Sequence, residues 1–278
     1  MSRWRVITAS VPGFTHIRQQ KPNQDAIGYE QWGDGKPGSA PPYLIIAVAD
    51  GHGSQRSFRS DIGARYAVQA ALITFRDFIE HQDYPYHLSR IKRLAEEKLP
   101  QRLVHLWQKY VRGHYTNNPF SVLEEELLGQ QPETIAYGST LLAVLVTEAF
   151  IIYWQLGDGD ILLVQPSGEV ERLLPVDERL LGNETTSLCS NQAWQEFRFR
   201  FQVITETTVP QLILLATDGY ANSFPSEADF RQVASDFHKM LVIDKEIVVV
   251  EQQLPNWLNE TSQRGSGDDM SVGICLFY

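Results

Sequence analysis

Two hydrophobic rhythms alternate along the chain. Leu44–Ala49 is apolar at every position and reads as a buried strand. Leu141–Val146, Phe150–Leu156 and Ile161–Gln165 are short and hydrophobic, with tight turns between them. Such turns demand antiparallel pairing, because parallel strands need long crossovers. Phe197, Phe199, Phe201 and Val203 alternate with Arg198, Arg200 and Gln202, the signature of a half-buried strand. Residues 5–10, 211–217 and 271–277 complete the predicted strands.

The second rhythm is helical. Residues 57–80 are rich in alanine and large apolar side chains and predict one helix. Residues 86–110 carry a stripe of Leu88, Ile91, Ala95, Leu99, Leu103, Leu106 and Tyr110 at three-four spacing. Pro100 is expected to kink or split that helix. Phe230, Val233, Phe237 and Met240/Leu241 form another stripe, with Ser226 placed to cap its start. A last helix is predicted over 244–254. Residues 11–23 read as turns, and 33–42 as a Gly/Pro loop. Residues 113–134 read as a loop with one helical turn at most, and 172–195 as an ordered loop.

Strands, helices, strands, helices and a strand follow one another. That order predicts an α+β fold of antiparallel sheets with helices packed outside. No stretch is poor enough in apolar residues to act as a linker, so residues 1–278 are expected to form one domain.

Composition narrows the function. The 278 residues are 43% hydrophobic and 21% charged, which supports a substantial core. The net charge of −10 and the absence of a Lys/Arg cluster disfavour nucleic-acid binding. Cys189 and Cys275 have neither zinc-site spacing nor a disulfide framework. With no apolar run of membrane-spanning length and no signal peptide, a cytoplasmic monomer without a membrane partner is expected.

The strand ends carry the candidate chemistry. The strand 44–49 closes in Asp50-Gly51-His52-Gly53. Asp158-Gly159 and Asp218-Gly219 follow two other apolar runs, and Asp268-Asp269 precedes the last. Asp158 by itself reads as a turn residue. Together, carboxylates at strand ends are how a chain holds hard divalent cations, and a glycine after the aspartate brings its carbonyl within reach as a ligand. Paired metals acidify a water and neutralise phosphoryl oxygens, while a nearby imidazole protonates the leaving alkoxide.

Six motifs stand in order: Asn23-Gln24-Asp25, Asp50-Gly51-His52-Gly53, Gly138-Ser139-Thr140, Gly157-Asp158-Gly159-Asp160, Ala216-Thr217-Asp218-Gly219 and Asp268-Asp269-Met270-Ser271. In that order and spacing they resemble the PPM family, the metal-dependent protein phosphatases of type 2C, over nearly the whole chain. The resemblance implies a four-layer α-β-β-α sandwich of two antiparallel sheets flanked by helices. It implies hydrolysis of phosphoserine and phosphothreonine in proteins at a binuclear Mn2+ or Mg2+ centre, two ions per chain. By that resemblance Asp50 bridges both ions, the Gly51 carbonyl ligates the second, and Asp218 and Asp268 hold the first. Asp25 accepts hydrogen bonds from metal-bound water, and His52 is the general acid.

The chain also departs from the family. Gln24 stands at a metal position where the family has glutamate, which leaves a poorer ligand. Asp269 stands where asparagine is usual, a weaker candidate ligand. His16, with Arg18 two residues on, lies near the place of the phosphate-gripping arginine; both are candidates for substrate phosphate. Gly13-Phe14-Thr15-His16 followed by Gln24-Asp25 resembles a bacterial branch, as does Asn183-Glu184-Thr185-Thr186 in the segment that corresponds to the family's flap. The aspartate that serves a third ion is missing, and Glu133 stands nearest. Phosphorylated proteins and a cognate serine/threonine kinase are the implied partners. Two other readings stay open: a phosphoprotein-binding module without turnover, and a small-molecule phosphatase on the same fold.

Overall fold

The continuous apolar strands earn their composition by facing two cores at once. A computed structural model describes residues 4–33, 42–80, 87–175, 185–205 and 208–277. Its elements run β1 (Trp4–Val11), α1 (Phe14–Gln19), β2 (Ala26–Trp32), β3 (Tyr43–Ala49), α2 (Ser60–Glu80), α3 (Leu88–Glu97), α4 (Leu99–Asn117) and α5 (Val122–Leu128). Then come β4 (Leu141–Val146), β5 (Phe150–Leu156), β6 (Asp160–Val164), β7 (Val170–Arg172), β8 (Arg198–Val203) and β9 (Leu212–Ala216). The chain closes with α6 (Asp218–Ala221), α7 (Glu227–His238), α8 (Ile247–Arg264) and β10 (Met270–Phe277).

Two five-stranded antiparallel sheets form, in the orders β1-β10-β9-β6-β7 and β2-β3-β4-β5-β8. Side chains alternate across each strand. Leu44, Ile46 and Val48 of β3 point between the sheets and meet Ile161, Leu163, Ile213 and Leu215. Ile45, Ala47 and Ala49 point outward, onto the layer of α2, α3 and α4. On the other side Leu212, Leu214 and Ala216 pack with Phe230 and Phe237 of α7 and Val250, Leu254 and Leu258 of α8. The result is a four-layer α-β-β-α sandwich with three apolar layers inside it. No helix among the described residues is long and apolar enough to cross a membrane.

Several elements differ from the sequence expectation, each for a visible reason. β2 carries no strand pattern because it is an edge strand whose Tyr29, Gln31 and Trp32 are exposed. The region 113–134 is not a loop with one turn. Helix α4 runs to Asn117, and α5 forms behind a capping box in which Ser121 and Glu124 satisfy each other's backbone N–H groups. Helix α8 passes through Pro255 instead of stopping at Leu254, since Leu258 and Ser262 beyond the proline are buried. α2 starts at Ser60 rather than 57, and the turns of 11–23 include the short α1. Pro100 splits the predicted helix of 86–110 near Lys98 and sits in the first turn of α4, where its missing N–H costs no bond. Ser226 caps α7 as expected, accepting from Asp229 N–H. Residues 34–41 of the Gly/Pro loop, and Asn183 and Glu184 of the flap, lie outside the described residues.

Candidate active site

Strand register decides which side chains meet. Val48 pairs with Leu142, so Asp50 falls beside Thr140. Its N–H donates to Thr140 Oγ1 at 3.1 Å, and its carbonyl accepts from Thr140 N–H at 2.8 Å. In the other sheet Ala216 pairs with both Val272 and Asp160. That register brings Asp218, the Asp158 turn and the Asp268-Asp269 pair to the same edge as Asp50. The glycines of the Asp-Gly pairs allow the crowding. A Cβ on Gly51 would stand 2.7 Å from the Gln24 carbonyl oxygen, and one on Gly219 would stand 2.2 Å from that of Asp269.

A cleft of about 700 Å³ opens at this edge. Asp50, Asp158 and Asp218 each place a carboxylate oxygen within 4.8 Å of the others, and His16, Asp268 and Asp269 form a second such group. Among the described residues that line the cleft there is no lysine or arginine. The negative charge therefore goes unbalanced, and the carboxyl groups show it. Burial, then the charges of Asp25, Asp218 and Asp268, push Asp50 well above the usual carboxylate range. Asp218 is pushed up to about 6, by burial first and by the Asp158 charge next.

Asp25 lies behind the cleft, buried. Its Oδ2 accepts from Thr217 Oγ1 at 2.8 Å, while Oδ1 is buried with no hydrogen-bond partner among the described residues. Burial raises its pKa, the Thr217 hydroxyl opposes, and the Asp269 charge adds. A buried, unsatisfied carboxylate oxygen is costly unless something outside the chain completes it. Crowded carboxylates, a glycine carbonyl and an orphaned acceptor form an oxygen-donor set that fits hard divalent cations and their water.

The sequence profile of protein phosphatase 2C matches residues 12–259. The chain belongs to the protein phosphatase 2C family. It is thereby a metal-dependent protein phosphatase. Solved structures share its fold. A bacterial serine phosphatase carrying a point mutation is 12% identical, with all of both chains covered and a TM-score of 0.61. The serine/threonine phosphatase Stp1 from Staphylococcus aureus is 11% identical, covering 99% of this chain and 95% of that one, with a TM-score of 0.60. The catalytic domain of the serine threonine protein phosphatase PstP, in complex with two manganese ions, is 15% identical over 98% and 97% of the chains, with a TM-score of 0.53. No curated protein sequence matches the chain.

In this phosphatase the predicted site residues gather unevenly. Asp50, Gly51, His52, Gln24, Asp218, Asp268 and His16 all line the cleft. Arg18 does not. It is exposed on α1, its guanidinium 5.9 Å over the Phe14 ring. His16 and Arg18 are two residues apart on one helix, so they face different ways. Glu133 bonds Arg112 instead and does not line the cleft. Asp158, read from sequence as a turn residue, is a turn residue that also lines it. Asp269 spends its carboxylate inside the chain. Oδ1 accepts from Gly13 N–H at 2.6 Å, and Oδ2 accepts from Gln24 N–H at 2.7 Å and lies 2.8 Å from His16 Nδ1. Gln24 donates its side-chain amide to Ser60 Oγ at 2.7 Å.

Burial pushes the His52 pKa down and the Asp158 charge pushes it back. Thr185 also lines the cleft, with a buried Oγ1 that has no partner among the described residues. Ser187 touches His52 Nε2 at 2.7 Å. From sequence Thr185 stands out only as part of Asn183-Glu184-Thr185-Thr186, with no role attached, and Ser187, one residue beyond that motif, does not stand out.

Proposed function

We propose that this phosphatase hydrolyses phosphoserine and phosphothreonine in protein substrates, with two Mn2+ or Mg2+ ions at the cleft. The observation that carries the reading is the crowd of carboxylates without a cationic partner, backed by the orphaned Asp25 Oδ1. Asp50, the Gly51 carbonyl, Asp218 and Asp268 would hold the ions, with Asp158 and Gln24 at the margin of the same set. When bound, the ions acidify water and neutralise phosphoryl oxygens.

The chain's own residues do the rest. Asp25 accepts hydrogen bonds from the water and turns it toward phosphorus. His52 gives a proton to the serine or threonine oxygen as the O–P bond breaks. His16, its Nδ1 held by Asp269, presents its other nitrogen to the phosphate, a reading supported by its place in the cleft and by the exposure of Arg18 outside it. The substrates are products of a serine/threonine kinase.

Isothermal calorimetry with Mn2+, paired with turnover of a phosphothreonine peptide, tests this reading. Micromolar metal binding with metal-dependent turnover is expected. Tight metal binding without turnover of any phosphoprotein overturns it and favours a binding module, and turnover of small phosphate esters alone favours a small-molecule phosphatase.

A further inference from the structure

His52 is gripped along one edge of its ring. Its backbone N–H donates to the Gly138 carbonyl at 3.0 Å. Its Cδ2 lies so close to Gly138 that a Cβ there would stand 2.7 Å away, and 3.4 Å from Cγ. On the same edge Nε2 lies 2.7 Å from Ser187 Oγ. Nδ1 sits across the ring from Cδ2 and makes no hydrogen bond with the described residues. Since His52 lines the cleft, Nδ1 is the nitrogen left to serve it.

Ser187 Oγ is closely held: besides His52 it lies 3.2 Å from Cys189 Sγ and accepts from Cys189 N–H at 3.4 Å. The residue is 3% exposed, so no bulk water competes for its hydroxyl. Its own proton has an acceptor ready, the Ser139 carbonyl at 3.2 Å, and Ser139 N–H reaches back to Oγ at 3.2 Å. Leu188 N–H bonds the same Ser139 carbonyl at 2.9 Å, which pins the segment. A hydroxyl that donates to Ser139 has one lone pair to take Ser139 N–H and another to take Nε2–H. An acid or base oriented by a third group is the logic that makes an imidazole effective in proton transfer.

We infer that Ser187 is a positioning residue for proton delivery: it accepts a hydrogen bond from Nε2–H of His52, donates its own O–H to the Ser139 carbonyl, and so reserves Nδ1 for the leaving group. The inference rests on the phosphatase reading of His52. In the step, a water oxygen bonds to phosphorus and loses a proton to solvent, the O–P bond to the serine or threonine breaks, and the imidazolium gives its Nδ1 proton to the departing oxygen. The ring is left neutral with its proton on Nε2, still donating to Ser187 Oγ. Solvent returns a proton to Nδ1 before the next turnover.

Ser187→Ala in the Mn2+-loaded enzyme tests the inference through the leaving group. Threonine alkoxide needs a proton and p-nitrophenolate does not. For a phosphothreonine peptide kcat should fall roughly 10- to 100-fold, a part of what a placed general acid supplies, while p-nitrophenyl phosphate turnover stays within about twofold. The peptide KM should not move. Ser187→Thr, which keeps the hydroxyl, should restore peptide turnover, and Ser187→Ala should add nothing in a His52→Ala background. Ring-nitrogen NMR of the metal-free protein gives a readout without turnover: neutral His52 carries its proton on Nε2 in the native chain and becomes a tautomer mixture in Ser187→Ala. Equal losses on both substrates, or an unchanged tautomer, overturn the inference. Absence of any hydrolysis by the native protein overturns the phosphatase reading instead, and the tautomer then decides Ser187's hold on the ring separately.

Discussion

Two concentrations of charge centre on Asp50 and Arg59, nine residues apart in sequence, and they are treated in opposite ways. Arg59 has everything it needs within the chain. It bonds both Glu124 oxygens at 3.1 and 3.2 Å, the Asn118 and Pro119 carbonyls at 2.6 and 3.2 Å, and the Tyr137 hydroxyl at 3.0 Å. Its guanidinium also lies 4.6 Å over the Phe120 ring. The cluster around Asp50 has carboxylates facing carboxylates and a buried oxygen of Asp25 left over. Charge satisfied from within holds a fold together, while charge left unsatisfied needs a ligand from outside. The Asp50 cluster lines a cleft, so a ligand from outside has a way in.

The comparison breaks most directly at Asp50 or Asp218. Changing either to alanine should lower metal-dependent turnover on the order of 10³-fold or more, the equivalent of the several kcal/mol that metal-assisted charge stabilisation supplies. The melting temperature of the metal-free variant should hold or rise, because a buried, repelled carboxyl group is gone. Arg59→Ala should do the reverse. It should cost roughly 2–3 kcal/mol of stability in denaturant titration, from the loss of charge-assisted bonds in a partly exposed setting, with kcat/KM of the folded fraction unchanged.

Acidity sharpens the contrast. In the metal-free protein Asp218 is pushed up to about 6, and Asp50 and Asp25 are raised too. The native state then holds more protons than the unfolded chain between about pH 4 and pH 6. Stability from this cluster is therefore greatest at the acid end of that window and is lost as pH rises through about 6. With saturating Mn2+ the slope should reverse over the same window, because ion binding releases those protons. Melting curves with and without a chelator read both slopes. The smallest effect is expected at Arg18: Arg18→Ala should leave kcat and KM for a phosphopeptide within about twofold, since surface charge outside a site contributes little. His16→Ala should raise KM more than it lowers kcat.

How much of this was legible beforehand depended on what each segment buries. β3, β4, β5 and β9 announced themselves because both of their faces are covered, so every residue but Gln155 of β5 is apolar or aromatic. β2 was silent because its outer positions meet solvent. α5 was hidden because its apolar Val122 and Leu123 are exposed, and only the Ser121…Glu124 spacing marks its start. At the site, the aspartates after β3 and β9 stood out against apolar runs. Asp158 did not, since an Asp-Gly turn looks the same whether or not it lines a cleft. Asp269's hold on Gly13, His16 and Gln24, and the contact of Ser187 with His52, join residues 135 to 256 positions apart and follow from no local pattern. The choice of His16 over Arg18 came from the phase of one short helix.

The aspartates come from opposite leaves of the sandwich. Asp50 extends β3 of one sheet, Asp218 extends β9 of the other and Asp268 leads into β10 beside it, while Asp158 sits in the turn that crosses between them. An ion shared by these groups, as proposed, would be a clasp on the open end of a folded pair of leaves. Chelation should thus loosen that end alone, so that amide exchange quickens at Asp50, Asp218 and Met270 while Leu44 and Leu212, at the far ends of β3 and β9, stay protected.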